Sequence, residues 1–295
     1  MPRRFLASLA ACALLSLGVL LPSSSAAAST DSSNTELQSF ELSPLGANDW
    51  GCKPSDAHPY PVILVPGTFE TMLKNWSTLS PVLKSQGYCV YSLNYGVRNH
   101  LPASGPIRES AKELADFVDR VRQATGARKV DLVGHSQGGM MPRWYLGFLG
   151  GAKYVNQLIG IAPSNHGTRG VLMPSAEGAL LVDTASVICD ACADQKAGSE
   201  FMQELNSIGD TVPGPVYTVI TTKYDEVVTP YRSQFLAGHE RQVTNLVLQD
   251  LCPLDFFEHD QTPNDPVVHR LVSHALAQQN APADPDFQPN CGLLP

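Results

Sequence analysis

The stretch that decides the fold is Lys129-Val-Asp-Leu-Val-Gly-His-Ser-Gln-Gly-Gly139. Its first half, Lys129–Val133, is a short apolar run of the kind that forms a strand buried on both faces. The pattern G-x-S-x-G follows at once, and residues Gly139 to Phe148 then have helical character. Glycines on both sides of a serine at a strand-to-helix junction allow a sharp turn that exposes the serine hydroxyl. The pattern therefore predicts that Ser136 is a nucleophile at the tip of such a turn.

Apolar, strand-like segments and helix-like segments alternate on both sides of this turn. Such alternation predicts an α/β fold, with a mostly parallel central sheet flanked by helices. We predict strands at Pro61–Val65, Tyr88–Asn94, Lys129–Val133, Leu158–Ile161, Val216–Thr221 and Gln242–Leu248, and helices at Trp76–Ser85, Ile107–Ala124, Gly139–Phe148 and Pro266–Gln278. The stretch around 168–214 interrupts the rhythm and is rich in Gly, Pro and Ala. We predict that it is an insertion that forms a lid or a wall of the substrate pocket.

A serine nucleophile needs a neighbouring base, and the base needs an orienting carboxylate. In the α/β-hydrolase fold, which the turn around Ser136 indicates, these groups follow the serine in the order acid, then histidine. Asp225 comes four residues after the predicted strand Val216–Thr221, and we interpret its neighbour Glu226 as a solvated loop charge. His259 lies in a loop between the last predicted strand and the last predicted helix, and His239 and His269 are the alternatives. The sequence thus predicts a triad of Ser136, His259 and Asp225.

Ester or amide hydrolysis also needs hydrogen-bond donors for the developing oxyanion. In this fold, one donor is the backbone N–H of the residue that follows the nucleophile, which here is Gln137. The other comes from the loop after the first buried strand, which here is Pro66-Gly67-Thr68.

The N-terminal residues have the features of a leader. Arg3 and Arg4 precede an apolar run from Phe5 to Leu21, and three alanines ending at Ala28 follow. We predict a signal peptide at 1–28 that is cleaved near Ala28, a loose polar segment at 29–45 and a single catalytic domain at 46–295. A membrane anchor and a lipoprotein leader acylated at Cys12 are the alternatives, but the apolar run is short for a span and continues past Cys12.

Composition limits the classes of function. The 295-residue chain has 43% hydrophobic and 16% charged residues, which argues against disorder, and its formal net charge is −8. An acidic chain without a basic stripe is a poor candidate for nucleic-acid binding. Six cysteines remain after the predicted leader, so up to three disulfides could form, in fifteen connectivities. Cys189 and Cys192 could also form a redox or zinc pair, but no further metal ligands at matching spacing accompany them.

In combination, several motifs make the sequence similar to a known family, the secreted bacterial class 2 triacylglycerol lipases, and more distantly to yeast lipase B. The motifs span nearly all of the predicted mature chain. They are Val65-Pro-Gly-Thr68, Asn75-Trp76, Gly87-Tyr-Cys89, Ser136-Gln-Gly-Gly139, Trp144, Ile161-Ala-Pro-Ser-Asn-His-Gly-Thr168, Asp225-Glu226 and Cys252…His259…Cys291.

The resemblance implies roles for particular residues. Thr68 would supply both its N–H and its hydroxyl to the oxyanion, and Gln137 would supply an N–H. The resemblance also implies the disulfides Cys52–Cys89 and Cys252–Cys291, which leaves Cys189 with Cys192. It implies no cofactor, and the sequence offers no convincing calcium site. The stretch 168–214 departs from the family pattern, so the resemblance does not define the acyl pocket.

The resulting hypothesis is a secreted, monomeric triacylglycerol lipase that makes transient contact with a lipid–water interface and has no nucleic-acid partner. Three alternatives stay open: an esterase or cutinase-like polyesterase, an acyltransferase, and a non-catalytic binding protein that retains the fold. The joint presence of Ser136, Asp225, His259 and the Gly67-Thr68 loop argues against the last.

Overall fold

Six strands form one sheet in the order β2-β1-β3-β4-β5-β6, and every neighbouring pair is parallel. A computed structural model describes residues 42–169 and 189–292. The strands are β1 (Val62–Val65), β2 (Val90–Ser92), β3 (Val130–His135), β4 (Val155–Ile161), β5 (Val216–Thr221) and β6 (Val243–Val247). The predicted α/β class with a mostly parallel sheet is confirmed.

Helices cover both faces of this sheet. They are α1 (Met72–Trp76), α2 (Leu79–Ser85), α3 (Ile107–Thr125), α4 (Gln137–Phe148), α5 (Asp190–Asp194), α6 (Glu200–Ser207), α7 (Leu248–Leu251) and α8 (Pro266–Ala277). Short 3-10 turns occur at Gly151–Lys153, Tyr231–Gln234 and His259–Asn264. None of the helices in the ranges that the structure describes is both long enough and apolar enough to cross a bilayer.

The core has two parts, one on each face of the sheet. Side chains of β1 alternate between them, since successive residues of a strand point to opposite faces. Ile63 and Val65 belong to the part covered by α3, α4 and α6, whereas Val62 and Leu64 belong to the part covered by α1, α2 and α8. All four side chains are fully buried, which explains why β1 reads as a continuous apolar run.

Most elements begin or end one to three residues from their predicted bounds, and one predicted helix is divided. The predicted helix Trp76–Ser85 is two helices, α1 and α2. The break lies at Ser77 and Thr78, and the Thr78 hydroxyl donates to Asn264 Oδ1 at 2.8 Å. The predicted strand Tyr88–Asn94 is shortened to β2, whose pairing with β1 runs from Val90 to Ser92.

Some predicted segments lie outside the described residues. These are the signal peptide 1–28, residues 29–41 of the loose segment, and residues 170–188 of the insertion. Residues 42–45 of the loose segment contact the domain, where Ser80 Oγ donates to the Leu45 carbonyl at 2.9 Å. The described part of the insertion contains α5 and α6.

Candidate active site

Ser136, Asp225 and His259 meet at one edge of the sheet. They follow β3, β5 and β6, and the carboxyl ends of parallel strands lie at the same edge. His259 Nε2 lies 3.0 Å from Ser136 Oγ, and His259 Nδ1 lies 2.7 Å from Asp225 Oδ2. All three residues are buried. The structure thus brings the three predicted site residues into one hydrogen-bonded chain.

Ser136 occupies a tight turn between β3 and α4. Its φ of 52° lies in the left-handed region, which non-glycine residues rarely adopt. The two glycines of the motif are required by close packing. A Cβ at Gly134 would lie 1.8 Å from the Gly138 carbonyl oxygen, and one at Gly138 would lie 2.1 Å from the Val65 carbonyl oxygen. The turn therefore depends on the glycine spacing that the sequence displays.

Asp225 is held by four hydrogen bonds. Its Oδ1 accepts from the N–H groups of Val227 at 2.9 Å and Val228 at 2.7 Å. Its Oδ2 accepts from Gln234 Nε2 at 2.7 Å, in addition to the bond to His259. These four bonds fix the orientation of the Asp225 side chain towards His259. Sequence reasoning missed Gln234, because a lone glutamine in a loop carries no signature.

His259 is oriented so that Nδ1 donates to Asp225 and Nε2 accepts from Ser136. Burial alone lowers the pKa of an imidazole, but the adjacent Asp225, by its charge and its hydrogen bond, outweighs burial. The pKa of His259 is therefore raised above its ordinary value of 6.5. The main-chain carbonyl of His259 accepts from Thr262 Oγ1 at 2.7 Å, which fixes the loop that carries the ring.

His135 and Asn75 connect the loops around the site. His135 Nε2 contacts the carbonyl oxygen of His259 at 3.1 Å, and His135 Nδ1 contacts Asn75 Nδ2 at 3.2 Å. Asn75 Oδ1 accepts from the Gly67 N–H at 2.8 Å. Because Asn75 donates to Nδ1, the proton of His135 lies on Nε2, and burial lowers the pKa of this neutral ring. The sequence did not indicate this role of His135, which supports the loop that carries His259.

Thr68 and Gln137 lie side by side, and their side chains are joined. Thr68 Oγ1 donates to Gln137 Oε1 at 2.6 Å, and a third side chain, Gln195, donates to both. Within residues 42–169 and 189–292, the backbone N–H groups of Thr68 and Gln137 have no protein acceptor.

A cavity of about 360 Å³ opens above Ser136. Phe69, Val227 and Val228 contribute apolar surface to its lining, and Cys192 also faces it. Its charged lining includes Glu70, Lys74 and Asp260. Glu70 forms an ion pair with Lys74 at 2.6 Å, yet burial outweighs this pair and raises the pKa of the Glu70 carboxyl. Among the described residues, no group of three His, Cys, Asp or Glu side chains is placed to hold a metal ion.

Three disulfides are present. They are Cys52–Cys89, Cys189–Cys192 and Cys252–Cys291, the pairs that the resemblance implies. Cys252–Cys291 brackets the segment that contains His259 and α8. Cys189–Cys192 closes the first turn of α5 beside the cavity.

Two kinds of sequence comparison bear on the family. The model of the Lipase (class 2) family matches residues 59–272. The triacylglycerol lipases of Pseudarthrobacter phenanthrenivorans and Burkholderia plantarii are each 38% identical over 90 residues. Each match covers 29% of this chain, and 27% and 24% of the two relatives. The chain thus spans about a quarter of the length of the curated relatives it matches.

Solved structures share the fold. Lipase B of Aspergillus fumigatus has a TM-score of 0.66 at 22% identity, covering 82% of this chain and 57% of that one. The mature form of the Bacillus licheniformis lipase BlEst2 has a TM-score of 0.52 at 19% identity, covering 70% and 87%. At these identities the likeness shows an α/β-hydrolase fold and nothing further. Because the family model matches most of its length, the chain belongs to the class 2 lipase family.

Proposed function

We propose that this protein hydrolyses carboxylic esters, as a triacylglycerol lipase, through an acyl-enzyme on Ser136. The observation that carries the proposal is the chain from Ser136 Oγ through the His259 ring to Asp225, at 3.0 Å and 2.7 Å. Both distances are within the range for proton transfer and orientation. Membership of the class 2 lipase family and the apolar side chains in the cavity support a lipid ester as the substrate.

In the first half of the reaction, Ser136 Oγ attacks the ester carbonyl while His259 Nε2 takes its proton. The negative charge that develops on the carbonyl oxygen is stabilised by the N–H groups of Thr68 and Gln137, together with the Thr68 hydroxyl. Asp225 stabilises the imidazolium that forms and does not itself become protonated. His259 then gives the proton to the leaving alcohol, and the acyl group stays on Ser136.

In the second half, a water molecule gives its proton to His259 Nε2 and attacks the acyl carbonyl. The same donors stabilise the second oxyanion. His259 then returns the proton to Ser136 Oγ, and the carboxylic acid leaves. The residues end in their starting protonation states, as a catalytic cycle requires.

The proposal includes the setting in which the enzyme works. The leader-like residues 1–28 and the three disulfides support secretion, because disulfides persist in oxidising compartments. Exposed apolar side chains such as Phe256 and Leu254, together with Phe69 at the cavity, support transient contact with a lipid–water interface. We propose that the enzyme acts there as a monomer.

The test compares purified protein with Ser136→Ala on p-nitrophenyl esters of increasing acyl length and on emulsified long-chain triglyceride. We expect turnover of long chains by the wild type and loss of about 10³-fold or more in the variant, since the nucleophile is gone. If only short esters were hydrolysed, the protein would be an esterase or polyesterase and not a lipase. If the wild type and Ser136→Ala were both inactive on every ester, the proposed function would be overturned.

A further inference from the structure

A glutamine from outside the predicted site reaches into it. Gln195 directly follows α5, its backbone N–H donates to the Ala191 carbonyl at 3.0 Å, and its carbonyl accepts from the Thr168 N–H at 2.9 Å. Its side chain is buried and faces the cavity. Gln195 is thus a fixed part of the wall and not a mobile surface residue.

The orientation of the Gln195 amide follows from its neighbours. Ser164 Oγ donates to Gln195 Oε1 at 2.7 Å. The two hydrogens of Gln195 Nε2 are shared among three acceptors, Thr68 Oγ1 at 2.9 Å, Gln137 Oε1 at 3.2 Å and the Ala191 carbonyl oxygen at 3.1 Å. The carbonyl oxygen of Ala191 can only accept, so an amide turned the other way would place two acceptors together. The nitrogen therefore faces Thr68 and Gln137.

The Thr68 hydroxyl has a single proton and two uses for it. In this structure the proton lies towards Gln137 Oε1, at an oxygen–oxygen distance of 2.6 Å. Donation to a substrate oxyanion requires the proton to turn away from Gln137. Without Gln195, that turn would leave Gln137 Oε1 as a fully buried acceptor without a partner, which is unfavourable.

We propose that Gln195 is a positioning residue that releases the Thr68 proton for the oxyanion. Its N–H to Thr68 Oγ1 occupies a lone pair of that oxygen, so the hydroxyl proton must point elsewhere. Its N–H towards Gln137 Oε1 keeps that acceptor satisfied after the proton has turned. This proposal rests on the proposed function, and it extends the oxyanion site to a residue that acts through Thr68.

The test is a double-mutant cycle between Gln195 and Thr68. Gln195→Leu removes the amide at similar size, and Thr68→Val removes the hydroxyl. We measure kcat and KM for p-nitrophenyl butyrate. Gln195→Leu should lower kcat about 10-fold to 30-fold and change KM less than about two-fold, because the Thr68 hydroxyl donates to the oxyanion only in the transition state. In the Thr68→Val background, the same change should lower kcat less than about two-fold.

Matched variants separate positioning from damage to the fold. Gln203→Leu removes an exposed glutamine from the neighbouring helix α6 and should leave kcat unchanged. Ser164→Ala is a milder change, which frees Gln195 Oε1, and its smaller loss of kcat should also vanish in the Thr68→Val background. This second cycle tests the proposal should Gln195→Leu fail to fold.

Equal losses in both backgrounds would overturn the proposal, since Gln195 would then act independently of the Thr68 hydroxyl. Full activity of Gln195→Leu would overturn it as well. A failure of the proposed function is distinguishable from both outcomes. In that case the wild type itself would be as inert as Ser136→Ala before any Gln195 variant is compared.

Discussion

Replacement of Asp225 by asparagine tests the geometry of the site most directly. The fold should tolerate this change, whereas His259 should lose its ability to act as a base. Asp225 Oδ1 accepts from two backbone N–H groups, so the asparagine carbonyl oxygen must take that position. The new NH2 group then faces Gln234 and His259. Gln234 can rotate its amide to present Oε1, which is buried and without a partner in the part of the chain that the structure describes.

His259 has no such freedom. To accept from the new NH2 group it must carry its proton on Nε2, where the proton points at Ser136 and the ring can no longer act as a base. This wrong tautomer typically lowers kcat about 10⁴-fold, which is about 5.5 kcal/mol of activation free energy. Since the rotation exchanges one unpartnered Gln234 atom for the other and leaves their number unchanged, the free energy of unfolding should change by less than about 1 kcal/mol.

The assay is kcat for p-nitrophenyl butyrate, together with the melting temperature. Glu226→Gln is the matched control, since Glu226 adjoins Asp225 in sequence but is exposed, and it should retain full activity. If Asp225→Asn kept more than about a tenth of the wild-type kcat, Asp225 would not orient the base. A loss of activity accompanied by unfolding would show that the accommodation by Gln234 is wrong.

Three further predictions concern pH, packing and crosslinking. Because the pKa of His259 is raised above 6.5 and only the neutral ring accepts a proton, kcat/KM should fall as pH falls, with a midpoint above 6.5; a midpoint below 6 would contradict this. Gly138→Ala places a methyl group 2.1 Å from a carbonyl oxygen and should abolish the native melting transition. At Gly126, with a φ of 77°, an added methyl group would meet no other atom, so Gly126→Ala should lower the free energy of unfolding by only about 1 kcal/mol. Equal destabilisation by Gly126→Ala and Gly138→Ala would refute the steric argument. Replacing Cys252 and Cys291 by serine opens a loop with a sequence separation of 39 and should lower the free energy of unfolding by about 4 kcal/mol in urea titration; a loss under about 1 kcal/mol would show that the crosslink contributes little.

The sequence predicted those parts of the molecule that depend on local pattern. The run ending at Val133 and the two glycines around Ser136 are contiguous, and together they indicate strand, turn and helix. Asp225 and His259 could be selected because chain order and strand ends suffice to place a residue at the edge of a parallel sheet.

The supporting residues could not be predicted in this way. Gln195, Gln234 and Asn75 act through side-chain hydrogen bonds to residues that lie far away in the chain or beyond a turn. Amide side chains occur in many loops, so neither type nor spacing distinguishes these three. His135 was passed over for a similar reason, because its role depends on the position of the His259 carbonyl and not on its own neighbours.

The all-parallel sheet also has a consequence for folding kinetics. Neighbouring parallel strands need crossover connections, so no two adjacent strands of this sheet can pair by forming a hairpin with a tight turn. Pairing of β1 with β3, for example, joins Val62 to Asp131 and must await the intervening segment. Chains dominated by such distant pairings fold slowly. Since Ser136, Asp225 and His259 are delivered by three different strands, we expect ester hydrolysis to return later than the helical circular dichroism signal when the chain is diluted out of denaturant.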